Sequence, residues 1–245
     1  MSPQMYLHDF SEVVLTYEIP EHLQGVKDVE EQRKSDLELL DKELRRHGSS
    51  LEEKILEGII WRMKFPGMIF DVREIDFGKY IDLKVSPIHP YRADLAYRGD
   101  RTLSKIASPL TVNALLESSE GEFVLGIRGG TVETGKIAII PGGHVEYQQP
   151  KITNPLATLF QEFQEELGYD FDGKAVHPIS VFTSGDTGGI NVLYLARTNL
   201  NFQEILGKWK KAKDQDEHNS LFPATYENIR QLAEKGQVYV SGKEY

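Results

Sequence analysis

Three glutamates in the second half of the chain have the residue type and spacing of a cation site. Glu162, Glu165 and Glu166 stand at i, i+3 and i+4, which places them on one face of a helix. Like charges at this spacing repel by about 0.2–0.5 kcal/mol per pair. Carboxylate oxygens suit Mg²⁺ and Mn²⁺. The spacing therefore favours a bound divalent cation, with a solvent-exposed acidic face as the alternative.

The segment 155–167 is predicted to be the helix that carries these glutamates. Pro155 suits the first helical position, and Gly168 suits the left-handed residue that follows a helix. No Lys or Arg lies within the segment to neutralise the acids. Its apolar residues fall at i, i+3, i+4, i+7 and i+11 and form a separate stripe that we expect to face the core: Leu156, Leu159, Phe160, Phe163 and Leu167.

A glycine-rich turn precedes this helix. The apolar segment 136–140 is predicted to be a short strand that ends at Pro141, Gly142 and Gly143. Because glycine has no Cβ, such a turn can bring backbone carbonyls close to the carboxylates. Two adjacent glycines also occur in ordinary turns, so this motif points to a site only in combination with the acidic helix.

Together these residues resemble the Nudix signature. The segment 161–169 matches the second half of that signature at every position but one, and Gly143 fits its opening glycine. Gln149 and Gln161 stand where the signature has Glu and Arg, and the loop between them is longer by four residues. We expect a hydrogen bond between the two glutamines to replace the ion pair of the family.

The resemblance implies a fold, a cofactor and a reaction. The fold would be α/β (α+β), with a mixed β-sheet sandwiched between helices. Glu162, Glu165 and Glu166 would hold Mg²⁺ or Mn²⁺, with the carbonyl of Gly142 as a further ligand. The cation would activate a water that attacks a diphosphate. The residue that takes the proton stays open: Glu162, Glu165 and Glu217 are the candidates, with His218 as a further one.

A narrower resemblance concerns the substrate. The segments 109–112, 123–128 and 216–220 are similar to the Nudix branch that hydrolyses UDP-glucose and UDP-galactose. It implies that a UDP-sugar is cut to UMP and a sugar 1-phosphate. The alternatives are a Nudix pyrophosphatase for ADP-ribose or another nucleotide, and a non-catalytic module that senses a nucleotide.

Three residues are candidates for substrate binding. Arg128 ends a predicted strand and could pair with a phosphate through two hydrogen bonds; a surface arginine is the alternative. His144 and Tyr147 flank the glycine turn. They are candidates to contact the base or the sugar, and an ordinary loop role is the alternative.

The pattern of elements predicts two parts, an additional N-terminal α/β region over 1–105 and a Nudix hydrolase domain over 106–245. The segment 86–100 is rich in turn residues and is predicted to lack regular structure. Hydrophobic periodicity predicts the following further elements: strands at 12–19, 68–75, 80–85, 110–117, 122–128 and 190–197, and helices at 26–47, 51–63, 202–213 and 226–235.

The composition of the chain indicates which kinds of molecule the protein is expected to bind. The chain of 245 residues has a net charge of −10 and no cysteine, so disulfides and thiolate metal sites are excluded. Its lysines cluster only around 208–213, where acids follow, which disfavours nucleic acid as a partner. No apolar run reaches the roughly 20 residues of a membrane span. We expect a cytoplasmic protein with a small-molecule nucleotide as its partner, and a homodimer is possible.

Overall fold

The structure is a computed structural model that describes residues 5–7, 12–56, 67–77, 80–97, 107–129, 134–147, 154–171, 176–183, 189–235, 239–240 and 243–244. The chain forms two compact units, each built from three segments. The first unit comprises Met1–Thr111, His144–Pro155 and Ser180–Val192, and the second comprises Val112–Gly143, Leu156–Ile179 and Leu193–Tyr245. The units therefore alternate along the sequence, and the domain boundary near residue 105 stays a prediction.

The described residues contain six α-helices: α1 (Val29–Arg46), α2 (Leu51–Leu56), α3 (Pro90–Tyr97), α4 (Pro155–Leu167), α5 (Phe202–Trp209) and α6 (Tyr226–Lys235). The predicted bounds of α4 and α6 are confirmed, whereas α1 and α5 are shorter than predicted. The predicted part of α2 beyond residue 56 lies outside the described residues. The prediction for 86–100 is wrong over α3, because Pro90 stands at the first helical position, where a missing N–H costs no hydrogen bond.

The described residues also contain fourteen short strands: β1 (Met5–Leu7), β2 (Val13–Tyr17), β3 (Met68–Phe77), β4 (Ile81–Ile88), β5 (Leu110–Glu117), β6 (Phe123–Arg128), β7 (Ile137–Ile139), β8 (Gly142–His144), β9 (Glu146–Tyr147), β10 (Val176–Thr183), β11 (Ile190–Arg197), β12 (His218–Ala224), β13 (Tyr239–Val240) and β14 (Lys243–Glu244). The strands predicted at 110–117, 122–128 and 190–197 are confirmed. We did not predict β10 or β12 from the sequence.

The first unit contains a four-stranded sheet in the order β2, β4, β3, β9. β3 and β4 pair antiparallel, and β2 runs parallel to β4. Helices α1 and α3 pack together through the buried side chains of Leu40, Leu44, Tyr91 and Leu95. Leu40 and Leu44 stand four residues apart and therefore lie on one face of α1.

The second unit holds most of an eight-stranded sheet. The strand order is β1, β10, β11, β5, β6, β12, with β7 paired to β6 and β8 paired to β5. Helix α6 packs Ile229 and Leu232 against Leu125 and Phe222 of the sheet. The expected α/β (α+β) fold with a mixed β-sheet is confirmed. None of the described helices has the length and apolarity of a membrane span.

Candidate active site

Helix α4 fixes the three glutamates because its opposite face is anchored in the core. Leu159, Phe163 and Leu167 of this helix are fully buried, and the ring of Phe163 stacks on that of Phe171 at 4.3 Å between centroids. Gly168 follows the helix with φ +72°, the left-handed conformation that glycine adopts without strain. The helix therefore begins and ends where the sequence predicts, and its acidic face lies beside this core, with Glu166 buried.

The glycine turn lies directly against this acidic face. The N–H of Gly142 donates to Oε1 of Glu166 at 3.3 Å. A Cβ on Gly143 would overlap the carboxylate of Glu162, and a Cβ on Gly142 would overlap the side chain of Asn113. The absence of a Cβ at Gly143 thus lets the turn approach α4 closely, and its absence at Gly142 lets the turn approach β5.

Glu166 is the buried member of the three. Only 3% of the residue is exposed, and its Oε2 has no hydrogen-bond partner within the part of the chain that the structure describes. Burial raises the pKa of Glu166 well above its ordinary value, and the neighbouring charges of Glu162 and Glu217 raise it further. The hydrogen bond from Gly142 and the charge of Arg128 oppose this increase. A buried carboxylate oxygen without a partner is costly unless a positive charge joins it.

Glu165 has one partner from outside its helix and one from within it. Nζ of Lys213 lies 3.0 Å from its Oε1, and Nε2 of Gln161 donates to the same oxygen at 3.3 Å. The backbone N–H of Asp214 donates to the Glu165 carbonyl at 2.9 Å, which brings the lysine to the helix. The expected bond from Gln161 to Gln149 lies outside the described residues.

The donor set fits a hard divalent cation. Glu162, Glu165 and Glu166 offer carboxylate oxygens, and Oε2 of Glu166 is buried with no hydrogen-bond partner among the described residues. Gly142 meets this face through its N–H, so the predicted carbonyl ligand stays a prediction. In the described part of the chain, no three His, Asp or Glu side chains are already arranged as a complete cation site. The glutamates would therefore have to adjust to bind a cation, and Glu165 would have to leave Lys213.

Arg128 and Glu217, predicted for substrate binding and catalysis, lie together. Nη1 of Arg128 is 3.3 Å from Oε2 of Glu217, with 33% and 50% of these side chains exposed. The pKa of Glu217 is raised because the protein partly withdraws the carboxylate from water, although Arg128 acts in the opposite direction. The nearby acids Asp214, Asp216 and Glu165 raise it further.

The sequence did not reveal how Glu217 is held. It ends the short 3₁₀ turn Gln215–Glu217, and β12 begins at the next residue. Sequence periodicity does not predict this strand, because the polar run at 216–220 shows no apolar alternation.

The two other predicted substrate residues belong to the first unit. His144 is half-buried at the end of β8. Tyr147 is 3% exposed, and its ring stacks on that of Tyr17 at 5.4 Å between centroids. Its ring therefore packs within an aromatic cluster, and contact of either residue with a substrate stays a prediction.

Comparison with known proteins gives matches only among solved structures. No protein-family model matches the chain, and no curated protein matches it. DR0079 from Deinococcus radiodurans is 18% identical, with a TM-score of 0.39 over 52% of this chain and 74% of that chain. A MutT/nudix family protein from Enterococcus faecalis is 20% identical, with a TM-score of 0.34 over 47% of this chain and 42% of that chain.

A third match is the NUDIX domain of Shewanella oneidensis NrtR, solved with ADP ribose. It is 14% identical, with a TM-score of 0.37 over 51% of this chain and 77% of that chain. Likenesses at these TM-scores do not assign the chain to a family. The chemistry of the site therefore has to be argued from its own residues.

Proposed function

We propose that this chain is a Nudix-type diphosphatase, an enzyme that hydrolyses a nucleoside-diphosphate-linked substrate with Mg²⁺ or Mn²⁺. The observation that carries the proposal is Glu166, whose buried Oε2 lacks a partner while its Oε1 meets the glycine turn. A structural acidic surface would leave such a carboxylate in water, where its charge costs little. Burial beside two other acids instead suits a site that gathers a cation.

Glu162, Glu165 and Glu166 are the residues that would hold the cation, with the carbonyl of Gly142. When bound, a divalent cation polarises phosphate oxygens and lowers the pKa of a bound water. Lys213 pairs with Glu165, so this ion pair would be exchanged for the cation. The buried apolar face of α4 would hold the helix backbone while the carboxylates adjust.

Glu217 is the group that we propose as general base. Its raised pKa makes its carboxylate a better proton acceptor than an ordinary glutamate. Arg128 holds that carboxylate through one nitrogen, and its planar guanidinium has further N–H donors for a phosphate. Glu162 and Glu165 remain the other candidates for the base.

The proposed substrate is a UDP-sugar, which would give UMP and a sugar 1-phosphate. The proposal is supported by the similarity of 109–112, 123–128 and 216–220 to the UDP-sugar branch. Two of these segments meet as paired strands, with Arg128 of β6 opposite His218 of β12. His144 and Tyr147 are retained as candidates to contact the base or the sugar.

A panel of nucleotides with Mg²⁺ or Mn²⁺ tests the proposal. UDP-glucose, UDP-galactose, ADP-ribose and a dinucleoside polyphosphate are incubated with the protein, and the phosphate-containing products are identified. Turnover of UDP-sugars alone supports the full proposal, and turnover of other members supports the diphosphatase with a different substrate. Binding without turnover of any member would instead indicate a nucleotide-sensing module.

A matched pair of variants shows whether the turnover comes from this site. Glu166→Gln removes the buried carboxylate, and we expect it to abolish turnover. Glu52→Gln makes the same chemical change at an exposed position of α2 and should keep wild-type activity. Equal activity in the two variants would contradict the assignment of the site.

A further inference from the structure

The strand pair β6–β12 contains a β-bulge next to the candidate site. His218 lies opposite Arg128, whereas Ser220 lies opposite Ile127, so the register shifts between these two positions. Asn219 is therefore the extra residue of β12. Bulges of this kind bend a strand and re-aim side chains, and they are frequent beside active sites.

Two glycines of the neighbouring segment make room for the bulge. A Cβ on Gly126 would overlap the imidazole ring of His218 and would lie 3.0 Å from its Nε2. A Cβ on Gly129 would lie 2.7 Å from Oδ1 of Asn219 and 2.9 Å from its backbone nitrogen. Either methyl group would therefore push the bulge away from its present position.

Hydrogen bonds then tie the bulge to the end of β6. The N–H of Gly129 donates to the carbonyl of Glu217 at 2.8 Å. Nδ2 of Asn219 donates to the carbonyl of Arg128 at 3.4 Å. These two hydrogen bonds therefore link the two segments that carry Arg128 and Glu217.

The ring of His218 is held by packing. The residue is 4% exposed, and neither ring nitrogen has a hydrogen-bond partner among the described residues. Burial, and to a lesser degree the charge of Arg128, together lower the pKa of His218 to about 4, so the ring is neutral at pH 7. It therefore anchors the strand without competing with Arg128 for the carboxylate of Glu217.

We infer that Gly126, Gly129, His218 and Asn219 are positioning residues that hold Glu217 against Arg128. Glu217 is the residue immediately before the anchored ring, and its carbonyl is one of the bonded groups. A shift of the bulge would thus move this carboxylate directly. The inference rests on the proposed function for the catalytic role of Glu217, whereas the geometry that it describes is measurable without turnover.

Gly126→Ala is the direct test, with Gly207→Ala as the matched control. No atom would lie within 4 Å of a Cβ on Gly207, which is exposed in α5. We expect Gly126→Ala to lower kcat by about tenfold to a hundredfold, the cost of misplacing a catalytic group by about 1 Å. KM and the affinity for Mn²⁺ should change by less than about twofold, because the α4 glutamates are untouched.

The guanidinium N–H signal of Arg128, whose Nη1 contacts Glu217, reports the geometry independently of activity. It can be assigned by its loss in Arg128→Lys. We expect Gly126→Ala to shift it in the same direction as Glu217→Gln does, and Gly207→Ala to leave it unchanged. An unmoved resonance in a folded Gly126→Ala protein would overturn the inference, as would a parallel loss of Mn²⁺ affinity.

If Gly126→Ala does not fold, Asn219→Ala provides a second test of the inference. Asn219 is exposed, so its truncation removes the bond to Arg128 without opening the core; Ser220→Ala is the neighbouring control. The Arg128 resonance should shift in the first variant only, and equal spectra for the two would refute the inference. If the wild type hydrolyses no nucleotide, the proposed function is wrong. The Arg128 resonance still shows in that case whether these residues hold Glu217 against Arg128.

Discussion

At the scale of single residues, Glu166 links the fold to the proposed chemistry. Its folded-state pKa is raised by burial, then by Glu162 and Glu217. The folded protein holds the proton of such a carboxyl group more tightly than the unfolded chain does. The contribution of the protonated group to folding stability is therefore lost as the pH rises from the pKa of the unfolded state towards the pKa of the folded state. At neutral pH the metal-free protein therefore carries a destabilising group that a bound cation would compensate.

Glu166→Gln is expected to abolish activity without lowering the stability of the metal-free protein. The metal-free variant should melt at the same temperature as the wild type or above it at pH 8, because a buried charge is removed. Mn²⁺ at 100 times its dissociation constant should stabilise the wild type by about 2.7 kcal/mol, or roughly 5–10 °C, with little effect on the variant. Thermal unfolding with and without Mn²⁺ measures both effects; an equal Mn²⁺ shift in the variant would contradict the role of Glu166.

Lys213→Met is expected to strengthen Mn²⁺ binding. The Lys213 ammonium pairs with Glu165 at 3.0 Å and is 68% exposed, so the pair contributes at most about 1 kcal/mol, or roughly fivefold in affinity. Lys210→Met removes the same charge from an exposed position just after α5. Titration calorimetry should show tighter binding for Lys213→Met than for Lys210→Met, and identical affinities would exclude competition by Lys213.

At the scale of elements, the sequence predicts α4 well because its signals are local. The apolar stripe and Gly168 fix its face and its end within thirteen residues. The partner of Glu165 could not be predicted, because Lys213 is 48 positions away in the chain. The strand β12 was missed for a related reason: its pairing with β6 depends on residues about 90 positions apart, such as His218 and Arg128.

Gly143→Ala is expected to disable the site while leaving α4 folded. The added methyl group would overlap the carboxylate of Glu162, so either the turn or that side chain must move. We expect kcat to fall by about a hundredfold, as for other displaced catalytic groups, and Mn²⁺ binding to weaken. Steady-state kinetics and calorimetry test this, with Gly207→Ala as the control; wild-type values for Gly143→Ala would show that the close approach is dispensable.

At the scale of the whole molecule, the first unit has a buried polar network of its own. Arg92 pairs with Asp36 at 3.1 Å and with Glu43 at 2.7 Å. Burial alone would raise the pKa of Asp36, but the hydrogen bond with His22 and the charge of Arg92 hold it below its ordinary value. The stability that Asp36 contributes is therefore lost only below about pH 4.

Because of His89 in this network, we expect the folded protein to lose stability in mild acid. Burial, with a further contribution from the charge of Arg33, lowers the pKa of His89 to about 4, so the unfolded chain takes up a proton first as the pH falls below about 6.5. Between pH 7 and pH 4.5 this should cost roughly 2 kcal/mol.

Urea unfolding of His89→Gln at both pH values measures this contribution. The stability of the variant should fall by roughly 2 kcal/mol less than that of the wild type over this range. His47→Gln changes an exposed histidine and should behave as the wild type does. An equal loss in His89→Gln and the wild type would show that His89 does not contribute.

The most direct test of the proposed chemistry is the anomalous diffraction of a crystal soaked in Mn²⁺. We expect one or more anomalous peaks at coordination distance from carboxylate oxygens of Glu162 and Glu166 beside Gly142, with Glu165 turned from Lys213 towards the ion. Crystals of Glu166→Gln soaked in the same way should show a weaker peak or none. A wild-type crystal with full Mn²⁺ peaks elsewhere and none at α4 would contradict the account.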